Sequence, residues 1–213
     1  ILYHSNKGMV SFWNAEYMGK EVRGMRENTS AAKSVAVNAL CAALVCISTM
    51  VIQIPIPLGY MHLGNACILL VGALFGPVTG LFAGGIGSAM ADLLTGYTQW
   101  VIPTLLIKSV MGFVIGYLAW GSEKKMRMTS PRTFLATAAG VVVMVFGYTI
   151  AGAVMNGSIY TGLLQVPGLT VEGVLGAVCF YAIGIVLEKA HVLRILTQET
   201  FACVLYAAYG AKG

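Results

Sequence analysis

Charged residues are scarce in this chain. Of its 213 residues only 10% are Asp, Glu, Lys or Arg, whereas 58% are hydrophobic. A soluble domain carries about 25% charged residues, and so few charges could not cover the surface of a water-soluble body of this size. The shortage excludes a soluble globular enzyme and a disordered chain, and it is typical of a protein embedded in lipid.

The sequence motifs of several enzyme classes are also absent. No G-x-x-x-x-G-K-[ST] occurs, so the chain has no phosphate loop with which to hydrolyse ATP. There is no G-x-S-x-G, no H-E-x-x-H and no pair of aspartates inside an apolar run. The five cysteines contain no Cys-x-x-Cys and are interpreted as packing residues. The sequence therefore predicts no enzyme, no bound metal and no cofactor in this chain.

The chain has 13 lysines and arginines, and all except Lys108, which lies inside an apolar run, gather in three segments. Five lie in the first 33 residues, four between residues 121 and 132, and three after the last apolar run. In chain order these are Lys7, Lys20, Arg23, Arg26, Lys33, Lys124, Lys125, Arg127, Arg132, Lys189, Arg194 and Lys212. A net charge of +5 can indicate nucleic-acid binding, but positive charge confined to loops between apolar runs indicates membrane topology instead.

The apolar runs cover residues 35–56, 66–95, 101–121, 134–155 and 171–187. A membrane-spanning helix needs about 20 residues, so the second run is too long for one helix, and Gly76-Pro77 at its middle is a strong helix breaker. Six spans place the N-terminus, the basic segment at 121–132 and the C-terminus on the cytoplasmic side. We therefore predict an all-α integral membrane protein of the cell membrane, with six transmembrane helices and both termini cytoplasmic.

Three segments then face the outside: residues 53–65, 96–103 and about 155–170. They are rich in Pro, Gly, aromatics and amides and contain no Lys or Arg. Gathered over a helix bundle, they suit a pocket for a small polar ligand, or they are interfacial aromatics and helix ends. The predicted membrane domain covers residues 31–190. A polar segment at 1–30 precedes it, which either lies on the membrane surface or is an extension, with no cleavable signal evident. A cytoplasmic tail at 191–213 follows it.

Ionisable side chains inside a membrane are costly and are treated first as functional. Asp92 and Lys108 either pair to hold a helix hairpin together or contact a ligand, and Glu172 either caps a helix N-terminus or faces the ligand. His62 is a candidate hydrogen-bond partner of a ligand, or a loop residue satisfied by backbone. The predicted substrate-binding residues are His62, Asn65, Asp92, Tyr97, Trp100, Thr104, Lys108, Tyr148, Asn156 and Glu172.

Small residues form stripes in the predicted helices. Ala32, Ala36, Ala39 and Ala43 are spaced to share one helical face, which faces either a neighbouring helix or a partner protein. Glycines recur every four residues from 72 to 84, with a further pair at 112 and 116. Close helix packing explains these glycines.

One stretch resembles a known family. The stretch begins with Gly-Tyr-Met-His-Leu-Gly-Asn at 59–65, which precedes a helix ending Leu-Phe-Gly-Pro at 74–77. It continues with Ala-Gly-Gly-Ile-Gly-Ser-Ala at 83–89, Ala-Asp-Leu-Leu at 91–94 and Gly-Tyr at 96–97. It ends with Trp100, Pro-Thr-Leu at 103–105, Ile-Lys at 107–108 and Met-Gly at 111–112. This pattern resembles the substrate-binding S components of energy-coupling factor (ECF) vitamin transporters, in the riboflavin-type, hydroxymethylpyrimidine or pyridoxine branch. The match is strong over 35–120 and compositional over 133–190. Asn65 is a departure, because the family more often has Asp there.

The resemblance implies a six-helix binding subunit that captures a water-soluble vitamin or vitamin precursor outside the cell. It implies assembly with a transmembrane coupling protein and two cytoplasmic ATPases that use the ATP. The alanine-rich face of the first helix would contact the coupling protein, and toppling of the whole subunit would deliver the ligand. A self-sufficient carrier or channel is the alternative, although no inverted repeat is evident. Aromatic, uncharged loops favour a flat heteroaromatic ligand, whereas a ligand-facing Lys108 would suit an acid such as pantothenate.

Overall fold

The computed structural model describes residues 32–51, 53–56, 59–120 and 128–190. The predicted segments 1–30 and 191–213, Cys203 and most of the basic segment at 121–132 lie outside these residues. Of the described residues, those from 37 onward belong to one compact unit and residues 32–36 to a second one. Of the second unit only residues 32–36 are described, as the first residues of a helix.

The described residues form six helices and one hairpin. The helices are α1 (Ala32–Val51), α2 (Gly64–Phe75), α3 (Pro77–Thr95), α4 (Val101–Trp120), α5 (Pro131–Met155) and α6 (Ile159–Lys189). Strands β1 (Gln53–Ile56) and β2 (Gly59–His62) pair antiparallel between α1 and α2, and a 3-10 turn at Thr98–Trp100 precedes α4. The helical fold class is confirmed, with a hairpin in the first predicted external segment that the apolar pattern did not reveal.

Five of these helices are long and apolar enough to cross a membrane: all except α2. With 12 residues, α2 is about 18 Å long, short of the hydrocarbon core of a bilayer, and eleven of its residues are buried. Large apolar side chains on the long helices point outward instead; Leu40, Ile102, Val142 and Leu164 are each more than 60% exposed. Such a surface is stable only against lipid.

Glycines bring α2, α3 and α4 into close contact. Gly80 lies against the backbone of Gly112, Gly84 against the carbonyl of Lys108, and Gly72 against Gly112 and Ile115. Any side chain at these glycines would collide with the facing helix, so the glycine repeat is confirmed as internal packing. The predicted break is also confirmed: α2 ends at Phe75, Gly76 has φ +92°, and Pro77 begins α3.

The third predicted external segment is mostly helical and not a loop. Helix α6 begins at Ile159, so residues 159–170 are helical and only a short turn at 156–158 joins it to α5. Pro167 lies within α6, although a proline normally ends or kinks a helix in water. In a membrane helix the backbone groups that a proline frees can find other partners, and the helix continues.

Candidate functional site

A buried polar cluster lies among the apolar helices. We define it as His62, Asn65, Asp92, Lys108 and Glu172, contributed by β2, α2, α3, α4 and α6 in turn. Asn65 is 0% and Lys108 1% exposed, and both carboxylates are buried. The cluster contains four of the ionisable residues predicted to carry function, although they are spread over more than a hundred residues of sequence. The fold thus brings these predicted residues together.

Asn65 stands between the cation and a carboxylate. Its side-chain amide donates to Oε1 of Glu172 over 2.6 Å, and its carbonyl oxygen accepts from Nζ of Lys108. Nζ of Lys108 lies 4.0 Å from the same carboxylate oxygen. An aspartate at position 65 could accept from Lys108 but could not donate to Glu172 when ionised, so an amide fits this position better than an acid.

His62 and Asp92 complete the electrostatics of the cluster. Nε2 of His62 is 3.2 Å from Oε1 of Glu172, and Asp92 is close enough to interact electrostatically with both Lys108 and Glu172. The Asp92–Lys108 approach predicted from the sequence is therefore present as one part of a larger network. Glu172 has a central role in that network that was not expected.

Glu172 does not cap a helix. It lies thirteen residues after Ile159 in α6, and its carboxylate is held by Asn65 and His62. The capping interpretation was wrong because it depended on a sixth helix that begins near residue 171. The real N-terminus of that helix is at Ile159.

An aromatic group adjoins Lys108 on one side. Nζ lies 5.2 Å from the ring centroid of Tyr148 and 3.3 Å from the sulfur of Met144. The Tyr148 hydroxyl donates to Oγ1 of Thr104 over 2.9 Å, and the Trp100 and Tyr148 ring centroids are 5.8 Å apart. We call Trp100 and Tyr148, together with the hydroxyl of Thr104 that Tyr148 contacts, the aromatic group. A cation held against a tyrosine face, with a second ring beside it, suits stacking of a flat ligand.

Two further predicted residues lie near the ends of α3 and α5 and contact backbone carbonyls there. Asn156 is an exposed residue that follows α5 and donates from its side chain to the carbonyl of Gly152. Tyr97 is half-buried before the 3-10 turn, and its backbone amide donates to the carbonyl of Asp92. Conversely, Met144 and Gln165 are buried but were not among the predicted site residues; Met144 is hidden in an apolar run, and Gln165 is one of the amides of the predicted segment at 155–170.

A metal site is not formed by the part of the chain that the structure describes, since no three His, Cys, Asp or Glu side chains there are placed to hold an ion. The four cysteines within the described ranges are free thiols. What the cluster offers a ligand is one cation, two carboxylates, an amide and an imidazole, beside aromatic rings.

Comparison with known proteins assigns this architecture to a family. The family model for the ECF-type riboflavin transporter S component matches residues 29–189, which include all six helices. The chain belongs to this family of S components. A Pyrococcus woesei protein, described as an uncharacterized protein in the gap 3' region, is 39% identical over 153 residues, covering 68% of this chain and 99% of that protein. A UPF0397 protein of Streptococcus agalactiae serotype Ia is 28% identical over 126 residues, covering 58% of this chain and 69% of that protein.

Membership places this S component in the membrane as part of a transporter and not among enzymes. The apolar outer surface of its five long helices agrees with that assignment. The buried polar cluster is then the feature of the fold that requires a functional explanation, because ionisable groups within a membrane domain are rare unless they act on a ligand or an ion.

We expect the stability of this S component to fall as the pH drops below about 6.5. Burial, followed by repulsion from Lys108, holds the pKa of His62 well below its usual value of 6.5. Below pH 6.5 the imidazole therefore stays neutral in the folded protein but becomes protonated in the unfolded chain. The contribution of His62 to the free energy of unfolding is complete above pH 6.5 and falls on acidification by up to about 1.4 kcal/mol per pH unit. Melting temperatures in detergent between pH 8 and 5.5 measure this.

His62→Gln provides the comparison, because glutamine keeps a donor for Glu172 but does not titrate. Its melting temperature should vary less with pH than that of the unmodified protein. Parallel pH profiles for the two proteins would show that His62 is not the source of the acid sensitivity.

Proposed function

We propose that this S component is the substrate-binding subunit of an ECF-type importer and captures a water-soluble vitamin or vitamin precursor outside the cell. The observation that carries the proposal is the buried polar cluster against the aromatic group, inside helices whose outer surfaces are apolar. A group of hydrogen-bond donors and acceptors beside aromatic rings is typical of a small-molecule site.

The proposed site opens toward the outside. Asp92 is three residues before the end of α3, Lys108 seven after the start of α4, and Tyr148 seven before the end of α5. At 1.5 Å per residue, all three are within about 11 Å of the same end of the bundle. The basic segment at 121–132 follows the opposite end of α4, and basic loops remain in the cytoplasm. We propose that α2, which is too short to face lipid but is buried among the long helices, completes a six-helix topology with cytoplasmic termini.

The ligand class follows from the balance of charge. Lys108 is already engaged by Asn65 and Glu172, so an anionic ligand would have to compete with a buried carboxylate. An uncharged heteroaromatic ring can instead stack on Trp100 or Tyr148 and exchange hydrogen bonds at its edge with Asn65. We therefore favour a flavin, pyrimidine or pyridine over an acid such as pantothenate.

Transport requires partners, since the chain has no phosphate loop. We propose a transmembrane coupling protein and two cytoplasmic ATPases, with delivery by toppling of the S component in the membrane. A single unpaired charge at the bilayer centre costs about 2.5–3.5 kcal/mol or more. The mutual pairing of Lys108, Asn65 and Glu172 lowers this cost for a site that crosses the lipid.

Native mass spectrometry of the gently purified full chain tests the proposal, with denaturation and chemical identification of any small molecule that co-elutes. We expect a stoichiometric vitamin or precursor. If the protein is empty, thermal shifts with riboflavin, pyridoxine, hydroxymethylpyrimidine and pantothenate follow, because a ligand that binds only the folded state stabilises it. No shift with any of these compounds would contradict the proposal and favour a self-sufficient carrier.

A further inference from the structure

The packing register of α3 locates a buried hydroxyl beside the polar cluster. Gly80 lies against Gly112 and Gly84 against the Lys108 carbonyl, so each step of four residues along α3 matches four residues back along α4. The next step places Ser88 opposite Thr104. On its other side, α3 approaches α2 at Gly80–Gly72 and Gly84–Ile68, and the same step brings Ser88 to Gly64, which directly precedes Asn65.

Ser88 is 1% exposed, and its hydroxyl has no hydrogen-bond partner within the described ranges. Hydroxyls in helices usually donate to the carbonyl four residues earlier, as those of Thr49, Thr137 and Thr149 do here. A buried hydroxyl without a partner costs folding free energy, so its presence at this position requires a compensating role.

The side-chain amide of Gln53 is a second buried polar group of this kind. It is paired with His62 across the β1–β2 ladder, and side chains of directly opposed residues lie on the same face of a hairpin. His62 in turn contacts Glu172. Nε2 of Gln53 is buried and lacks a hydrogen-bond partner among the residues that the structure describes. Two unsatisfied polar groups therefore lie at two sides of one cluster, on the hairpin and on α3.

We propose that Ser88 Oγ and Gln53 Nε2 are direct ligand contacts. The proposal rests on the proposed function and extends it by defining the hydrogen-bonding pattern of the ligand. Gln53 offers only donor hydrogens at Nε2, so the ligand presents a carbonyl oxygen or ring nitrogen to the hairpin. Ser88 both donates and accepts, and faces a second polar edge of the ligand near Thr104. A heteroaromatic ring with acceptors on two edges meets both requirements.

Ser88→Ala and Gln53→Leu test this in the full-length protein. The compound among riboflavin, pyridoxine, hydroxymethylpyrimidine and pantothenate that most stabilises the unmodified protein is titrated into each variant. We expect the dissociation constant to rise about 3- to 10-fold for each variant, as for loss of one hydrogen bond. Without ligand, the melting temperature of Ser88→Ala should be unchanged or higher, because an unsatisfied hydroxyl has been removed.

Thr149→Val and Gln99→Leu are the matched controls. The Thr149 hydroxyl is already satisfied by the carbonyl of Val145, and Gln99 is exposed in the 3-10 turn, so neither change should alter affinity. If Gln53→Leu misfolds, Gln53→Glu removes the donor at constant size. If the unmodified protein binds a ligand and both test variants bind it with unchanged affinity, this proposal is overturned while the proposed function remains intact. A lower ligand-free melting temperature for Ser88→Ala, with unchanged affinity, assigns a structural role to Ser88. A parent protein that binds none of the four compounds overturns both.

Discussion

Lys108→Met should weaken ligand binding severely, raising the dissociation constant at least about 100-fold, because Lys108 positions Asn65 and lies against Tyr148, two residues proposed to contact the ligand. The same change should lower the free energy of unfolding by about 3–5 kcal/mol, since it leaves the Glu172 and Asp92 carboxylates buried without their cation. Titration of the stabilising vitamin and chemical denaturation in detergent measure the two effects. Cys67→Ala, another buried change in the same core, should have little effect on affinity.

The double variant Lys108→Met with Glu172→Gln separates stability from binding. The double variant also removes the carboxylate of Glu172 that Lys108→Met alone leaves uncompensated, and glutamine can still accept from Asn65. Stability should therefore recover much of its loss, while ligand binding remains absent. If binding returned with stability, Lys108 and Glu172 would form only a structural pair, and the ligand site would have to be sought elsewhere in the S component.

Replacing Ala39 and Ala43 by leucine should abolish assembly with the coupling protein and spare ligand binding. Both alanines are exposed on α1, as are Ala32 and Ala36 on the same helix, so leucine side chains there have space within the S component itself. At a close helix–helix contact, the added bulk would force the partner helix away. Co-purification with tagged coupling protein and ATPases, together with a vitamin titration, measures both properties.

Ala138→Leu with Ala182→Leu is the matched control, since these alanines are exposed on α5 and α6. It adds equal bulk on helix faces that we do not assign to the partner. We expect it to assemble as the unmodified chain does. Intact complexes from the α1 variant would place the partner surface elsewhere, and loss of assembly in both variants would show sensitivity to bulk in general.

The sequence was sufficient for the properties that depend on local composition. Few charges and long apolar runs indicated a membrane protein, Gly76-Pro77 located the boundary between two helices, and the glycine repeat indicated close packing. Each of these is a property of neighbouring residues, and the physics involved, lipid solvation and backbone geometry, acts over a few turns of helix. Sequence motifs at 59–112 likewise indicated the S-component family, which the family model confirmed.

Local patterns failed where distant segments meet. The start of α6 was placed too late because the last apolar run begins only at residue 171. Glu172 was consequently interpreted as a cap. The β1–β2 hairpin has no apolar alternation strong enough to reveal it. Ser88 and Gln53 could not be distinguished from other polar residues, because whether a hydroxyl or amide finds a partner depends on what the fold places beside it.

By itself, the sequence determined that this protein is embedded in lipid, that it is helical, and which ionisable residues lie inside apolar segments. Only the tertiary structure decided that Asn65, Lys108 and Glu172 share hydrogen bonds, and that Asn65 serves as an amide between a cation and an anion. The physical reason is distance. Burial of apolar surface can be inferred from local composition, whereas pairing of buried charges requires atoms separated by up to 107 residues of sequence to meet within about 3 Å.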